Sequence, residues 1–180
     1  MNYFSSDFHC QHLNMARNRG FVSVKEMEDC IVDNFNSIVS RRDVLFHLGD
    51  FYWTNDMEGI RKFIARLNCK KIIFLKGNHD KPLIKFMKAT KNSRLELHSD
   101  YFLKDNGCNL HLYHYPIFDY NGRYNTENYG EKYYHAFGHQ HNRQNGELME
   151  IKGAVNVNVD MNDYKPLNID DIKRIVDEQN

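Results

Sequence analysis

Residues 71–80 read Lys-Ile-Ile-Phe-Leu-Lys-Gly-Asn-His-Asp. Ile72, Ile73, Phe74 and Leu75 form an unbroken apolar run, the pattern of a strand covered on both faces. The run ends before Gly77, and three residues able to handle metals or protons follow: Asn78, His79 and Asp80. A helix is expected next, at about 82–90. Strand, glycine, polar loop and helix is the repeating unit of an α/β protein, where loops at the carboxyl ends of strands bind ligands.

The same unit recurs upstream. A strand is expected at 1–6, followed by Asp7-Phe-His9. Ser23-Val-Lys-Glu26 is a capping box, and Val24, Met27, Ile31, Phe35 and Ile38 then give a helix over 23–40 its apolar face. A strand at 43–48 leads into Gly49-Asp50, and a helix at about 55–67 buries Met57, Ile60, Ile64 and Leu67. After residue 93 the pattern becomes short strands, near 95–98, 101–104, 109–114, 133–137, 147–151 and 154–159, with Gly107, Gly122, Gly146 and Gly153 marking turns. A last helix at 169–178, capped by Asn168, buries Ile169, Ile172, Ile175 and Val176. The order βαβαβα, then strands, then one helix predicts an α/β protein of two packed mixed β-sheets flanked by helices.

The chain has 180 residues, close to the roughly 150 of one domain, and no linker divides it, so a single domain over 1–180 is expected. Lys plus Arg equals Asp plus Glu at 24 each, which excludes nucleic-acid binding by bulk positive charge. No apolar run approaches the ~20 residues of a membrane span, and Asp7 already sits in a motif, leaving no room for a leader. Cys10, Cys30, Cys69 and Cys108 make no C-x-x-C pair, which argues for buried, reduced thiols and a cytoplasmic protein.

Five segments carry metal-type ligands at the ends of predicted strands: Asp7-Phe-His9, Gly49-Asp50, Gly77-Asn78-His79-Asp80, His114-Tyr-Pro116, and Gly138-His139-Gln-His141-Asn142. In three of them glycine precedes the ligand, where the chain must turn sharply off the strand. Taken singly each has a duller reading: His139/His141 as a strand edge, Asn78-His79-Asp80 as a turn. Their joint, ordered occurrence is the signal. Asp7, His9, Asp50, Asn78, His114, His139 and His141 offer seven oxygen or nitrogen donors, too many for one tetrahedral ion. With one bridging carboxylate they serve two ions with four ligands each. The donor set suits Mn, Fe, Zn, Co or Ni. Two ions ~3.5–4 Å apart activate a water and clamp a phosphoryl oxygen.

The pattern D-x-H, G-D, G-N-H-D, H and G-H-x-H over Asp7–His141 resembles the calcineurin-like metallophosphoesterases, above all their small single-domain members. The resemblance implies a four-layer αββα sandwich. It implies a dinuclear-metal-dependent phosphoesterase working through a metal-bridging hydroxide, with two divalent or mixed-valence ions, manganese foremost. By motif, Asp7, His9 and His141 would hold one ion, Asn78, His114 and His139 the other, and Asp50 would bridge. His79 would contact the phosphate and protonate the leaving oxygen, with Asp80 orienting its imidazole. The substrate would be a phosphate ester, nucleotide-like esters included. A site without a cap domain favours a diester over a monoester.

Other residues carry weaker signals. His12, Arg17, Arg19 and Arg123 are candidate substrate contacts, the last within a polar stretch, Asp119–Glu131, that also holds Tyr120, Tyr124, Asn125 and Tyr129 and reads equally as a surface loop. Lys81, Lys85 and Lys88 read as a solvated helix face, His47 as a buried, hydrogen-bonded core residue, and His98, His111 and His135 as structural. The alternative to an enzyme is a metal-binding interaction platform on the same fold. The His79/Asp80 pair speaks against it, since a platform needs no proton donor.

Overall fold

A computed structural model describes residues 1–124, 132–141 and 151–179. Its first sheet holds β1 (Asn2–Ser5), β2 (Val44–His47), β3 (Lys71–Leu75), β4 (Leu95–His98) and β9 (Leu167–Asn168) in the order β4-β3-β2-β1-β9. The first four run parallel and β9 is antiparallel to β1. The second sheet is β5 (Tyr101–Asp105), β6 (Cys108–Leu112), β7 (Tyr133–Phe137) and β8 (Ala154–Asn156), with β6, β7 and β8 parallel. The helices are α1 (Leu13–Asn18), α2 (Val24–Ile38), α3 (Met57–Arg66), α4 (Lys81–Ala89) and α5 (Ile169–Glu178).

Alternation along β3 shows how the layers form. Ile72 and Phe74 join one cluster, with Met27, Ile31 and Phe35 of α2, Ile60, Phe63 and Ile64 of α3, and Leu83 and Phe86 of α4. Ile73 and Leu75 point the other way, to Leu110 and Leu112 of β6, Tyr134 and Ala136 of β7, and Ile172 and Val176 of α5. A continuous apolar strand is what a sheet packed on both faces requires. The molecule is thus a mixed α/β sandwich, two parallel-rich sheets flanked by helices, as the sequence pattern predicted.

Local chemistry sets the helix ends. Ser23 accepts from the Glu26 amide, but Glu26 reaches back to the Val22 amide, one residue earlier than a capping box predicts. Asn168 and Asp171 form a complete capping box on α5. Ile38, expected on the buried face of α2, is exposed, and Val39 fills the core in its place. The helix ends at Ile38 and the backbone turns extended, which swings the next side chain inward. Three described elements were not foreseen: α1, β9 and a 3-10 turn at Val159–Met161. The six residues of α1 are too few to show a period, and the two of β9 too few to show an alternation. The strand expected at 147–151 lies, apart from Ile151, outside the described residues, as do Asn125 and Tyr129.

Register aligns the strand ends. Ser5 lies opposite His47, and His47 opposite Phe74, so the loops after β1, β2 and β3 leave one edge of the sheet together. The first two loops continue as a ladder: the Asp7 amide donates to Gly49 O (2.9 Å), His9 to Asp50 O (3.0 Å), Cys10 to Phe51 O (3.1 Å), and Trp53 back to Cys10 O (2.8 Å). The second sheet joins the same edge through a bridge between Ser6 and Asn158 and a bond from His139 N to Asp7 Oδ2 (2.9 Å).

Candidate metal centre

Two groups of three side chains converge at that edge: Asp7, His9 and His141, and Asp50, His114 and His139. Within each group one ligand atom per residue lies within 4.8 Å of the others. Four of these residues, Asp7, His9, Asp50 and His139, have φ between 49° and 66°, a left-handed backbone that side chains other than glycine rarely adopt. Such strain persists only where the surroundings enforce it, and it concentrates at functional sites.

The glycines before the ligands act in two ways. Gly49 has φ +96°, the sharp turn the sequence suggested, and a Cβ there would also meet His114 Nδ1 at 2.5 Å. Gly77 and Gly138 are needed for space instead. A Cβ on Gly77 would stand 2.2 Å from Asp50 Oδ1, and one on Gly138 2.5 Å from Asp7 Oδ2.

The hydrogen-bond pattern turns acceptor atoms of His141 and His114 into the centre. His141 Nδ1 lies 2.6 Å from Asp160 Oδ2 and must donate to it. That leaves Nε2 of a neutral ring as a bare lone pair, 3.2 Å from His9 Nε2. His114 Nδ1 likewise donates to Leu48 O (2.7 Å), so its Nε2 faces the Asn78 carbonyl oxygen, 2.9 Å away, as an acceptor. Asp7 is fully buried, and its Oδ1 has no hydrogen-bond partner among the described residues. Two ligands 2.1 Å from one ion stand roughly 3.0–3.5 Å apart. His9 Nε2 is 3.7 Å from Asp7 Oδ1, and His141 Nε2 is 3.8 Å from the same oxygen. An orphaned carboxylate oxygen and the inward lone pairs of His141 and His114, without a cysteine among them, fit hard or borderline divalent cations.

Electrostatics agree. Burial opposes ionisation of Asp7, yet the neighbouring imidazoles of His9 and His114 prevail and hold the carboxyl well below the usual carboxylate range. Burial, with His114 close by, lowers the His139 pKa and keeps that ring available as a neutral ligand.

Other expected residues fall differently. His79 stands exposed beside the groups, its amide donating to Asp50 Oδ1 (2.8 Å) and its ring 5.7 Å from that of His9. Asp80 does not orient it. The Asp80 carboxylate is buried and accepts from three backbone amides, Gly77 (2.7 Å), Asp50 (2.8 Å) and Phe51 (2.9 Å). It therefore ties two ligand loops together. Burial pushes its pKa up, a shift those amides oppose.

Arg19, expected at the substrate, is turned inward. It pairs with Asp160 (2.5 Å) and donates to the carbonyls of Asp7 (2.7 Å) and Phe8 (3.0 Å). A guanidinium has five donors in a rigid fork, which suits it to clamping several acceptors at once. Arg17 is exposed on the last turn of α1. Arg123 folds back on its own loop, 4.6 Å over the Phe118 ring. His12 does border the centre: it caps α1, accepting from Met15 N (3.3 Å), and lies edge-on to His9. His47 is buried as expected but makes no hydrogen bond among the described residues, enclosed instead by Phe8, Phe51 and Phe74. Lys81, Lys85 and Lys88 are solvated, and the cysteines are free, with Cys30 half-buried.

Three residues at the centre gave no sequence signal. Asp160 orients His141 from 19 positions downstream, with no motif between them. Trp53 packs on His12 at 3.9 Å, and Tyr115 lies edge-on to His139 at 4.7 Å.

The calcineurin-like phosphoesterase superfamily domain matches residues 3–159 of this sequence. The chain belongs to that superfamily. As a calcineurin-like phosphoesterase it is, at the level of the family, a metal-dependent hydrolase of phosphate esters, with two His/Asp groups able to hold ions. It is 30% identical to an uncharacterized protein of Methanocaldococcus jannaschii, over 97% of this chain and 90% of that one. A protein of unknown function from Aquifex aeolicus superposes with a TM-score of 0.72 at 28% identity, covering 97% of this chain and 98% of the other. A novel archaeal phosphodiesterase is more distant, with a TM-score of 0.47 at 19% identity over 87% of this chain and 81% of its own. Among the described residues no helix is long and apolar enough to cross a membrane.

Proposed function

We propose that this protein is a dinuclear-metal phosphoesterase that prefers phosphodiesters. Asp7, His9 and His141 would hold one ion, Asn78, His114 and His139 the other, and Asp50 would bridge them. The observation that carries the reading is the position of Asp50 Oδ2. It lies 3.7 Å from His9 Nε2 and 3.6 Å from His114 Nε2, one nitrogen from each group. A carboxylate between two cations offsets charge on both.

Bound there, divalent ions supply Lewis acidity and an activated water. The chain's residues do the rest. Asp160 fixes the His141 tautomer so that Nε2 points inward. Asp80 holds the Asp50 and Gly77 loops in register. The exposed His79, anchored through its amide to Asp50, would give a proton to the departing oxygen. Manganese is the ion we expect first, with Fe, Zn, Ni and Co compatible with the same donors.

The test is turnover of bis-p-nitrophenyl phosphate and p-nitrophenyl phosphate by metal-stripped protein with Mn, Zn, Ni or Co restored, beside Asp50→Asn. Metal-dependent hydrolysis, faster for the diester and lost in the variant, is expected. Two bound ions without turnover of either ester would replace the enzyme by a binding platform.

A further inference from the structure

The chain has a single tryptophan, and it stands at the mouth of the metal centre. Trp53 lies three residues past Asp50. Its indole is 3.9 Å from the His12 ring, 4.9 Å from His79 and 6.5 Å from His9. Its backbone is fixed: the amide donates to Cys10 O (2.8 Å), and the preceding Tyr52 is bridged to Cys10. Even so, the residue remains 40% exposed. A large aromatic ring held still and left open to water is a preorganised π-surface, and preorganisation lowers the cost of binding.

Resting on the phosphoesterase reading above, we infer that Trp53 stacks on a flat aromatic substituent, a nucleobase, carried on the departing side of the substrate phosphate. The side is fixed by His79. The residue placed to protonate the departing oxygen is one that Trp53 touches, so the group leaving past His79 passes along the indole. The kind of substituent follows from the surface. An indole face stacks on flat π-rings, and every nucleobase has such a face. Length follows from charge. Arg19 is committed to Asp160, Lys81, Lys85 and Lys88 are solvated on α4, and the chain has no net charge, so among the described residues these four cations offer no row along which a polymer backbone would run past the indole. A short, nucleoside-bearing ester fits better than a long strand.

With only one tryptophan, the fluorescence of the zinc-loaded protein reports on this residue alone. Adenosine monophosphate should quench it saturably, and ribose 5-phosphate and inorganic phosphate should not. As inhibitors of bis-p-nitrophenyl phosphate hydrolysis, the nucleotide should bind about tenfold or more tighter than the ribose phosphate, the scale of one stacked base. Trp53→Ala should abolish that preference while ribose phosphate inhibits as before, and Trp53→Phe should restore part of it. Equal inhibition by the two in the unaltered protein, or a preference that survives Trp53→Ala, overturns the inference while leaving the hydrolase reading intact. If no ester is turned over, the hydrolase reading falls, and quenching by the nucleotide alone still supports the stacking surface.

Discussion

Asp160 and His141 are joined by a 2.6 Å hydrogen bond that determines which nitrogen of His141 faces the metal centre. The pair does not stand alone. Arg19 holds Asp160 from behind and, with the same guanidinium, holds the carbonyls of Asp7 and Phe8. Burial raises the cost of the Asp160 charge, but His141 and Arg19 outweigh it and its pKa is lowered. One chain of contacts, Arg19–Asp160–His141, thus links α1, the segment after β8 and the loop after β7.

Removing the carboxylate's charge should therefore weaken metal binding. Asp160→Asn can turn its NH2 toward Nδ1 and favour the wrong tautomer, which withdraws the Nε2 lone pair. Partners of metal-ligating histidines typically change affinity 10–100-fold when mutated. We expect a loss in that range for one of two ions, measured by calorimetric titration of metal-free protein, with the fold retained by circular dichroism. Two unchanged binding isotherms would refute the role given to Asp160.

His79 and Asp80 are neighbours in opposite surroundings, one exposed and one buried among amides, and substitution should separate the roles proposed for them. His79→Ala removes an exposed ring and should leave the melting temperature and both metal sites in place. Turnover should fall, most for esters with poor leaving groups, by roughly the 10²–10⁴-fold of a general acid. Asp80→Ala strips the partner from three amides, each costing about 1–3 kcal/mol when left buried and unpaired. It should destabilise the protein by several kcal/mol and loosen Asp50 with it. Urea denaturation and metal content of both variants would decide. An Asp80→Ala protein as stable as the unaltered one contradicts the tie seen here.

This division shows what the sequence could and could not say. The apolar run Ile72–Leu75 announced a strand buried on both faces, because burial and periodicity are local properties. The order of glycines and polar residues announced the two His/Asp groups, because side chains that converge must leave strands at one edge. Asp80 beside His79 suggested a dyad, since adjacency is all a sequence displays. The amides that claim Asp80 belong to another loop as well as its own, and only the register of β2 against β3 brings them there. Arg19 misled for a similar reason: a solvated arginine and one buried by Asp160 are spelled alike. His47 was placed correctly in the core, but its lack of hydrogen bonds depends on three phenylalanines from three separate segments.

The glycine positions give a stability test with an internal control. Gly107 has φ +77° and open space around its absent Cβ, so Gly107→Ala should cost only backbone strain, about 1–2 kcal/mol, and leave metal binding alone. Gly77 has no such φ, yet its Cβ would stand 2.2 Å from Asp50 Oδ1 and 2.5 Å from Asp50 N. Gly77→Ala must push the Asp50 carboxylate aside. Metal affinity should drop far more in Gly77→Ala than in Gly107→Ala, whatever the two melting temperatures do. Equal affinities would mean that the Asp50 loop yields without consequence.

His47 makes a prediction in pH. Burial, with smaller contributions from His114 and His9 and against a small opposing pull from Asp7, lowers its pKa from 6.5 to about 3. In the unfolded chain the ring takes up a proton as pH falls through 6.5, whereas in the folded protein it stays neutral until about 3. The unfolded state thus binds more protons across that window, and stability falls as pH falls. Each unit is worth at most 1.36 kcal/mol, so between pH 7.5 and 4.5 this one residue should remove about 2–3 kcal/mol. His47→Leu has nothing to protonate, and the cage of Phe8, Phe51 and Phe74 offers it apolar contact. The variant should lose less stability on acidification than the unaltered protein, whichever is more stable at neutral pH. Urea midpoints of the two metal-free proteins at pH 7.5, 6 and 4.5 measure the difference. Parallel curves would mean that water reaches the ring and that His47 titrates near its ordinary value.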